Sequence, residues 1–96
     1  MEKTEVILSD GVNGEVQLFS NDQKAGEMAI SVANGKLTVF HTEVYDAFKD
    51  RCFAKLLLDR LVSYAKENNL KILPLCPYVH AQFKRHPDEY ASIWLK

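Results

Sequence analysis

The chain has 96 residues, of which 47% are hydrophobic and 26% are charged, and its net charge is −1 at pH 7. This length and composition predict one folded domain spanning residues 1–96 and argue against disorder. The near-neutral charge provides no basic surface for a nucleic-acid backbone, and the longest apolar run is too short for a membrane span, so neither nucleic acid nor a membrane is an expected partner.

The first half of the chain has the alternating pattern of β-strands. Four strand-like runs occur, at residues 6–8, 15–19, 26–33 and 37–40. Turn signals separate them: Asn13-Gly14 lies between the first two runs, and Asn34-Gly35 lies between the last two. The second dipeptide is flanked directly by strand-like runs, so it predicts a β-hairpin.

The second half changes to a helical period. From about residue 52 to residue 68, apolar residues recur every three or four positions and polar residues occupy the opposite side. This pattern predicts one long amphipathic helix packed on the sheet. Asp50 is its predicted N-cap, and Asn68-Asn69 is its predicted C-terminal stop.

Shorter elements complete the chain. A strand over residues 72–76 contains Pro74, which lacks an N–H and therefore belongs at an edge or where strand pairing breaks. Residues 79–85 can form a short helix that ends before Pro87, and residues 90–95 form a helical turn or an edge strand. The order of elements predicts an α+β fold with a mostly antiparallel sheet covered by a helix. Residues just before the long helix and just after the following strand should meet at one end of that sheet.

Two cysteines, Cys52 and Cys76, lie far apart in the sequence. Neither belongs to a CxxC pair or to a Cys/His cluster with metal-ligand spacing, so we predict no disulfide and no metal site. The N-terminal residues are charged and lack the apolar run of a signal peptide. Together these features predict a reduced, cytoplasmic protein.

Four segments follow one another along the chain: residues 41–44 (HTEV), the long helix, residues 73–79 (LPLCPYV) and residues 83–87 (FKRHP) followed by Tyr90. In this order and spacing they resemble the GNAT-type N-acetyltransferases, and more narrowly their smallest single-domain, acetyl-CoA-binding members. The similarity runs from about Gly14 to Tyr90. The resemblance implies a GNAT-like fold, with one long helix after the central strands and a short helix after the next strand. It also implies that the protein binds acetyl-CoA as co-substrate and acetylates an amine on a small molecule or peptide.

The resemblance also implies how the cofactor is held. In the family, the strand with the HTEV-like segment pairs with the pantetheine arm, and the loop that opens the long helix holds the pyrophosphate. The implied cofactor-binding residues are Glu43, Val44, Lys49, Asp50, Arg51, Cys52, Phe53, Ala54 and Lys84. Lys84 belongs to a basic cluster near residues 80–86 that either meets the 3′-phosphate end of the cofactor or forms a solvated helix face.

The pyrophosphate loop departs from the family pattern, which is a basic residue or Gln, two arbitrary residues, Gly, one residue, then Gly or Ala. In residues 49–54 (KDRCFA), Cys52 stands where the first glycine is expected, and Asp50 stands where many members have another. A Cβ at position 52 narrows the approach of a phosphate to the helix N–H groups. The Asp50 carboxylate would repel a phosphate by about 1–4 kcal/mol at about 4 Å. The alternative function is therefore a GNAT-like interaction module with weakened or lost cofactor binding.

Two residues are the catalytic candidates. Cys76 is either a thiol beside the acetyl thioester, as nucleophile or as part of the thioester pocket, or a small buried hydrophobe at a strand end. His41 is a candidate general base, since its strand is expected to neighbour that of Cys76, or it is a structural histidine. Glu43 lies two residues further on the same face, so a His41/Glu43 pair is either a proton-transfer pair or a surface ion pair.

Overall fold

A computed structural model describes residues 2–95, with the backbone only at Asp50. Within these residues, five strands form one sheet in chain order: β1 (Glu2–Leu8), β2 (Asn13–Ser20), β3 (Gln23–Ala33), β4 (Lys36–Val44) and β5 (Lys71–Pro74). Strands β1 to β4 pair antiparallel with their neighbours, and β5 pairs parallel to β4. A parallel pair needs a crossover connection, which here is the long helix.

The helices of residues 2–95 follow the central strands. The long helix α1 (Phe53–Glu67) connects β4 to β5 and is preceded by a short 3₁₀ helix (Asp46–Arg51), and α2 (Pro77–Arg85) and α3 (Pro87–Tyr90) follow β5. This arrangement confirms the predicted α+β fold, with its mostly antiparallel sheet, long helix and following short helix. Within the same residues, every helix is too short or too polar to cross a membrane.

One face of the sheet is buried against α1. Alternate residues of the central strands are almost completely buried: Val16, Leu18, Met28, Ile30, Leu37 and Val39. They share one hydrophobic core with side chains on one side of α1: Leu57, Leu58, Leu61, Val62 and Ala65. Burying one such leucine or valine stabilises the fold by about 1.5–3 kcal/mol, so this interface holds the helix on the sheet.

The other face of the sheet carries polar side chains, and we call it the open face. Glu15, Gln17 and Glu27 lie on it between the buried positions of β2 and β3 and are half-buried, and His41 and Glu43 of β4 are exposed. An antiparallel sheet with one solvated face produces the alternation that predicted these strands.

The Asn34-Gly35 hairpin is confirmed, whereas the predicted turn at Asn13-Gly14 is wrong. Asn34 (φ 55°) and Gly35 (φ 75°) both have the positive φ values of a type I′ turn. The turn between β1 and β2 instead contains Gly11 (φ 82°), and Asn13 and Gly14 begin β2. Gly14 serves close packing, because a Cβ on it would lie 1.9 Å from a carbonyl oxygen of β1.

Residues 91–95 form a turn followed by a single β-bridge at the edge of the sheet. After α3, Trp94 forms an isolated parallel bridge with Ile72 of β5. The N–H of Ile72 donates to the carbonyl of Ile93 at 2.6 Å, and the N–H of Leu95 donates to the carbonyl of Ile72 at 2.8 Å. This segment therefore covers the outer edge of β5.

Candidate active site

Strands β4 and β5 separate part-way along β4. Their pairing ends at Val39 and Pro74, and the carbonyl of Val39 accepts hydrogen bonds from the N–H groups of Leu75 (3.1 Å) and Cys76 (3.0 Å). In the described chain, β4 has no strand partner on this side over residues 40–44. We call the resulting gap between the end of β4 and the chain after Pro74 the splay.

A β-bulge lies at the point where the splay begins. Ile30 of β3 pairs with Val39 and Ala29 pairs with His41, so Phe40 is an extra residue without a partner in the ladder. A bulge bends its strand and increases the local twist. The bulge therefore turns the end of β4 away from β5, and it leaves the Phe40 side chain 45% exposed.

The backbone groups of Thr42 and Val44 face the splay. The N–H of Tyr45 donates to the carbonyl of Ala25 at 2.8 Å, so these two residues form a hydrogen-bonded pair of the β3–β4 ladder. Because bonded and non-bonded pairs alternate in an antiparallel ladder, the N–H and C=O groups of Thr42 and Val44 point away from β3. An extended ligand could pair with them. Glu43 and Val44 are the two predicted cofactor-binding residues on β4. By the same alternation, the backbone groups of Val44 face the splay and those of Glu43 face β3.

Cys76 forms the opposite wall of the splay, at the start of α2. Its side chain is 2% exposed, and its Sγ lies 3.2 Å from Oγ1 of Thr42. The strand of His41 therefore neighbours the Cys76 segment, as the sequence predicts. The side chain that reaches the thiol, however, belongs to Thr42.

His41 lies on the face of β4 opposite Cys76. Thr42 points to the buried side and to the thiol, whereas His41 and Glu43 lie on the open face with Glu27. In Glu27, His41 and Glu43, one possible metal-ligand atom of each side chain lies within 4.8 Å of those of the other two. His41 and Glu43 thus share a face, as the alternation predicts. The role of His41 as a base for Cys76 stays a prediction.

Glu27 is the centre of a hydrogen-bonded network on the open face. The hydroxyl of Tyr45 donates to Oε1 of Glu27 at 2.8 Å, and Nζ of Lys24 lies 2.8 Å from the same oxygen. The pKa of Glu27 is held below its usual value mainly by the hydrogen bond from Lys24 and next by the hydrogen bond from Tyr45. The hydrogen bond with Glu27 in turn raises the pKa of Tyr45. The group with His41 has the donor atoms for a divalent cation. Because Lys24 already compensates the Glu27 charge and lowers its pKa, Glu27 stays ionised and is a weak proton acceptor.

The start of α1 differs from the prediction. Asp50 lies within the 3₁₀ helix, and the N-cap of α1 is Cys52, which makes no side-chain capping hydrogen bond. The prediction that Asp50 caps the helix is therefore wrong, because the 3₁₀ helix displaces the start of α1 by two residues. The position of the Asp50 carboxylate lies outside the described residues. The Cys52 side chain therefore satisfies none of the N–H groups in the first turn of α1.

Cys52 has a left-handed backbone, with φ 56° and ψ 32°. Glycine adopts this conformation readily, whereas a residue with a Cβ pays about 1–2 kcal/mol. The thiol is exposed, so side-chain packing does not offset this strain. The loop therefore keeps a backbone suited to glycine while carrying a cysteine.

Comparisons with known proteins agree with this architecture. A family model described as GCN5-related N-acetyltransferase matches residues 15–93. The chain belongs to the GCN5-related N-acetyltransferase family. A GCN5-like protein from Staphylococcus aureus, solved by NMR, has 25% sequence identity and a TM-score of 0.65, with 95% of this chain and 87% of that one covered.

A second solved structure of this fold is the ribosomal-protein-S18-alanine N-acetyltransferase from Escherichia coli. It has a TM-score of 0.67 and 12% sequence identity, and the match covers 77% of this chain and 66% of that one. At this identity the likeness shows the fold alone. A comparison with curated protein sequences gives no match.

The two basic residues of the 3₁₀ helix before α1, Lys49 and Arg51, both contact other residues of that helix. Nζ of Lys49 lies 3.0 Å from a carboxylate oxygen of Asp46, and the Arg51 guanidinium lies 5.8 Å from the centre of the Phe48 ring. Both contacts are at the surface, where such interactions contribute about 1 kcal/mol or less, so either side chain can turn to a phosphate at low cost.

The remaining predicted cofactor residues differ in what they can offer. The Phe53 side chain is buried and that of Ala54 is half-buried, so at the first turn of α1 these two residues present backbone N–H groups rather than side chains. Lys84 is exposed in the last turn of α2, about 10 Å along the helix from its start near Cys76. Its contact with the cofactor stays a prediction.

Thr42 is the site residue of this GCN5-related chain that sequence reasoning missed. The signal was present, because alternation within residues 41–44 places Thr42 on the face opposite His41 and Glu43. That face is the one packed against α1, where Cys76 also lies. The pairing of Thr42 with the thiol follows only once β4 and the start of α2 are placed side by side.

Proposed function

We propose that the protein is an acetyl-CoA-dependent N-acetyltransferase that binds its co-substrate in the splay. The observation that carries this proposal is the splay itself, in which backbone groups of Thr42 and Val44 face a gap beside the Cys76 thiol. An extended pantetheine arm would pair with these groups as an added strand. The pyrophosphate would lie at the first turn of α1, where backbone N–H groups and the helix dipole favour anions.

The chemistry requires a polarised carbonyl and an amine that loses a proton. The backbone N–H of Thr42, which faces the splay beyond the bulge of β4, would donate to the thioester oxygen as negative charge develops on it. The amine attacks the carbonyl carbon, the bond to sulfur breaks, and coenzyme A leaves as a thiolate, which then takes up a proton in place of the one that the amine loses. His41 and Glu43, on the open face beside the splay, are the groups positioned to take the amine proton. The acceptor is an amine on a small molecule or peptide.

A titration with acetyl-CoA tests the proposal. At a concentration of 100 times Kd, the ligand should stabilise the protein by about 2.7 kcal/mol, which raises Tm by about 10 °C or more for a domain of this size. Amide resonances of residues 42–54 should shift in the same titration. If Tm and these resonances do not change at millimolar acetyl-CoA, the proposal is wrong.

The route of transfer depends on Cys76. In one route the amine attacks acetyl-CoA directly and Cys76 lines the thioester pocket; in the other the acetyl group passes first to the Cys76 sulfur, which gives its proton to the departing coenzyme. In the direct route, Cys76→Ala should retain turnover within about tenfold of the parent. Loss of all turnover with unchanged acetyl-CoA affinity would instead establish the acetyl-enzyme route. Mass spectrometry of the parent during turnover provides the independent check.

The substitution Cys52→Gly should both stabilise the protein and tighten acetyl-CoA binding. Glycine relieves the left-handed strain but adds backbone freedom to the unfolded chain, so the net gain is about 0.5–1 kcal/mol. Removing the Cβ also opens the approach to the α1 N–H groups, and we expect several-fold tighter binding. Thermal unfolding and calorimetric titration measure the two effects. The matched control is Cys52→Ala, which keeps the Cβ and should change neither property; equal effects of the two variants would contradict this explanation.

The second candidate function is a non-enzymatic interaction module. The strained cysteine at the N-cap of α1 is the observation that favours it, because a Cβ stands where a phosphate would approach. On this hypothesis the fold is retained and acetyl-CoA fails to bind the parent chain. Binding that appears only in Cys52→Gly would support it.

A further inference from the structure

The contact between Thr42 and Cys76 crosses the splay. Thr42 belongs to β4, and Cys76 belongs to the segment that begins α2, 34 residues later. On one side of this contact, the carbonyl of Val39 joins the two walls by accepting from the N–H groups of Leu75 and Cys76. Over residues 40–44, β4 no longer pairs with β5. The hydroxyl–sulfur contact of 3.2 Å therefore links two elements that backbone pairing no longer connects.

Among the described residues, the side chain in hydrogen-bond contact with the Cys76 sulfur is that of Thr42. His41 and Glu43 lie on the open face, on the other side of β4 from the sulfur. A threonine hydroxyl is both a donor and an acceptor, so it can accept from the thiol and donate to the sulfur once the thiol has lost its proton. The buried position of Cys76 strengthens the interaction, since the local dielectric is low.

We propose that Thr42 is the positioning residue for Cys76, and that its hydroxyl holds the sulfur in one orientation at the site of the thioester. This inference rests on the proposed function in one respect, namely that the thioester lies in the splay. It replaces His41 by Thr42 as the partner of the thiol. His41 then serves the acceptor amine on the open face.

Two variants of Thr42 separate the hydroxyl from the shape of the side chain. Thr42→Val keeps the shape and removes the hydroxyl, and Thr42→Ser keeps the hydroxyl and removes the methyl group. A Cys52→Ser background leaves Cys76 as the only thiol of the chain, so its S–H stretching band in the infrared reports on one group. In the proposed pair, the neutral thiol is the donor to Oγ1 of Thr42. In Thr42→Val this band should therefore shift toward the frequency of a thiol without a hydrogen bond, and in Thr42→Ser it should remain at the parent frequency.

Turnover provides the second measurement. In Thr42→Val, kcat should fall about fivefold, the factor that corresponds to a hydrogen bond of about 1 kcal/mol, while KM for acetyl-CoA stays unchanged because the backbone of residue 42 is retained. Thr42→Ser should restore most of kcat. If Thr42→Val does not fold, Thr42→Ala replaces it in the comparison with Thr42→Ser.

An unchanged S–H band in Thr42→Val would overturn the proposal, and so would a band that Thr42→Ser fails to restore. The infrared measurement is made without acetyl-CoA, so it is independent of the proposed function. A band shift in Thr42→Val together with no response to acetyl-CoA would support the hydroxyl–thiol pair and contradict the proposed transferase function. Acetyl-CoA binding without the band shift would support the proposed function and contradict the positioning role of Thr42.

Discussion

Phe83→Ala is expected to lower the free energy of unfolding by about 3–5 kcal/mol. Phe83 is completely buried; its ring stacks on Tyr90 with centroids 4.6 Å apart and meets the ring of Trp94 edge-on at 5.6 Å. Truncation would leave a cavity where α2, α3 and Trp94 meet. Urea unfolding followed by circular dichroism measures the loss.

The matched control for this prediction is Phe40→Ala. Phe40 is 45% exposed at the bulge, so its truncation should change the free energy of unfolding by about 0.5 kcal/mol or less. Comparable losses in the two variants would contradict the described packing of α2. Because α2 begins directly after Cys76, we also expect Phe83→Ala to reduce acetyl-CoA binding by loosening one wall of the splay.

Gly26→Ala is expected to cost roughly 2–3 kcal/mol of stability and to disturb the site. Gly26 faces Val44 across the β3–β4 ladder, and a Cβ on it would lie 2.6 Å from the carbonyl oxygen of Glu43. That oxygen belongs to the backbone, so β4 itself must move. The displaced residues include those whose backbone groups face the splay, and acetyl-CoA affinity should fall together with stability.

A different glycine provides the control for backbone displacement. A Cβ on Gly35 meets no atom within 4 Å, so Gly35→Ala has only the strain of its positive φ, about 1 kcal/mol. Acetyl-CoA affinity should not change in this variant. Equal losses of stability and affinity in Gly26→Ala and Gly35→Ala would show that the contact with β4 does not matter.

Local patterns predicted most of the fold because each depends on neighbouring residues. Asn34-Gly35 formed its hairpin because both φ values are positive, and α1 ends at the predicted asparagines, with Asn69 at φ 54°. Gly14 was misread, since its reason is a close approach of β1 that no local pattern contains. Asp50 failed as a cap for a similar reason: an intervening 3₁₀ helix shifts the start of α1.

The candidate site was predictable only in part. Alternation placed His41 and Glu43 together on one face, and the position of Cys76 after the long helix placed it near β4. The bulge at Phe40 was not predictable, because it appears only when the registers of β3 and β4 are compared. Thr42 was missed because its partner is 34 residues away in the sequence.

The doubly occupied carbonyl of Val39 has a consequence for how a coenzyme would arrive. Pro74 has no N–H, and the N–H groups of Leu75 and Cys76 both donate to that oxygen, with Leu75 also donating to the carbonyl of Leu73, so β5 does not extend its pairing along β4. The gap between the two elements therefore follows from the protein's own hydrogen bonds. Because the gap is preorganised, a molecule that binds in it loses less binding free energy to ordering the protein.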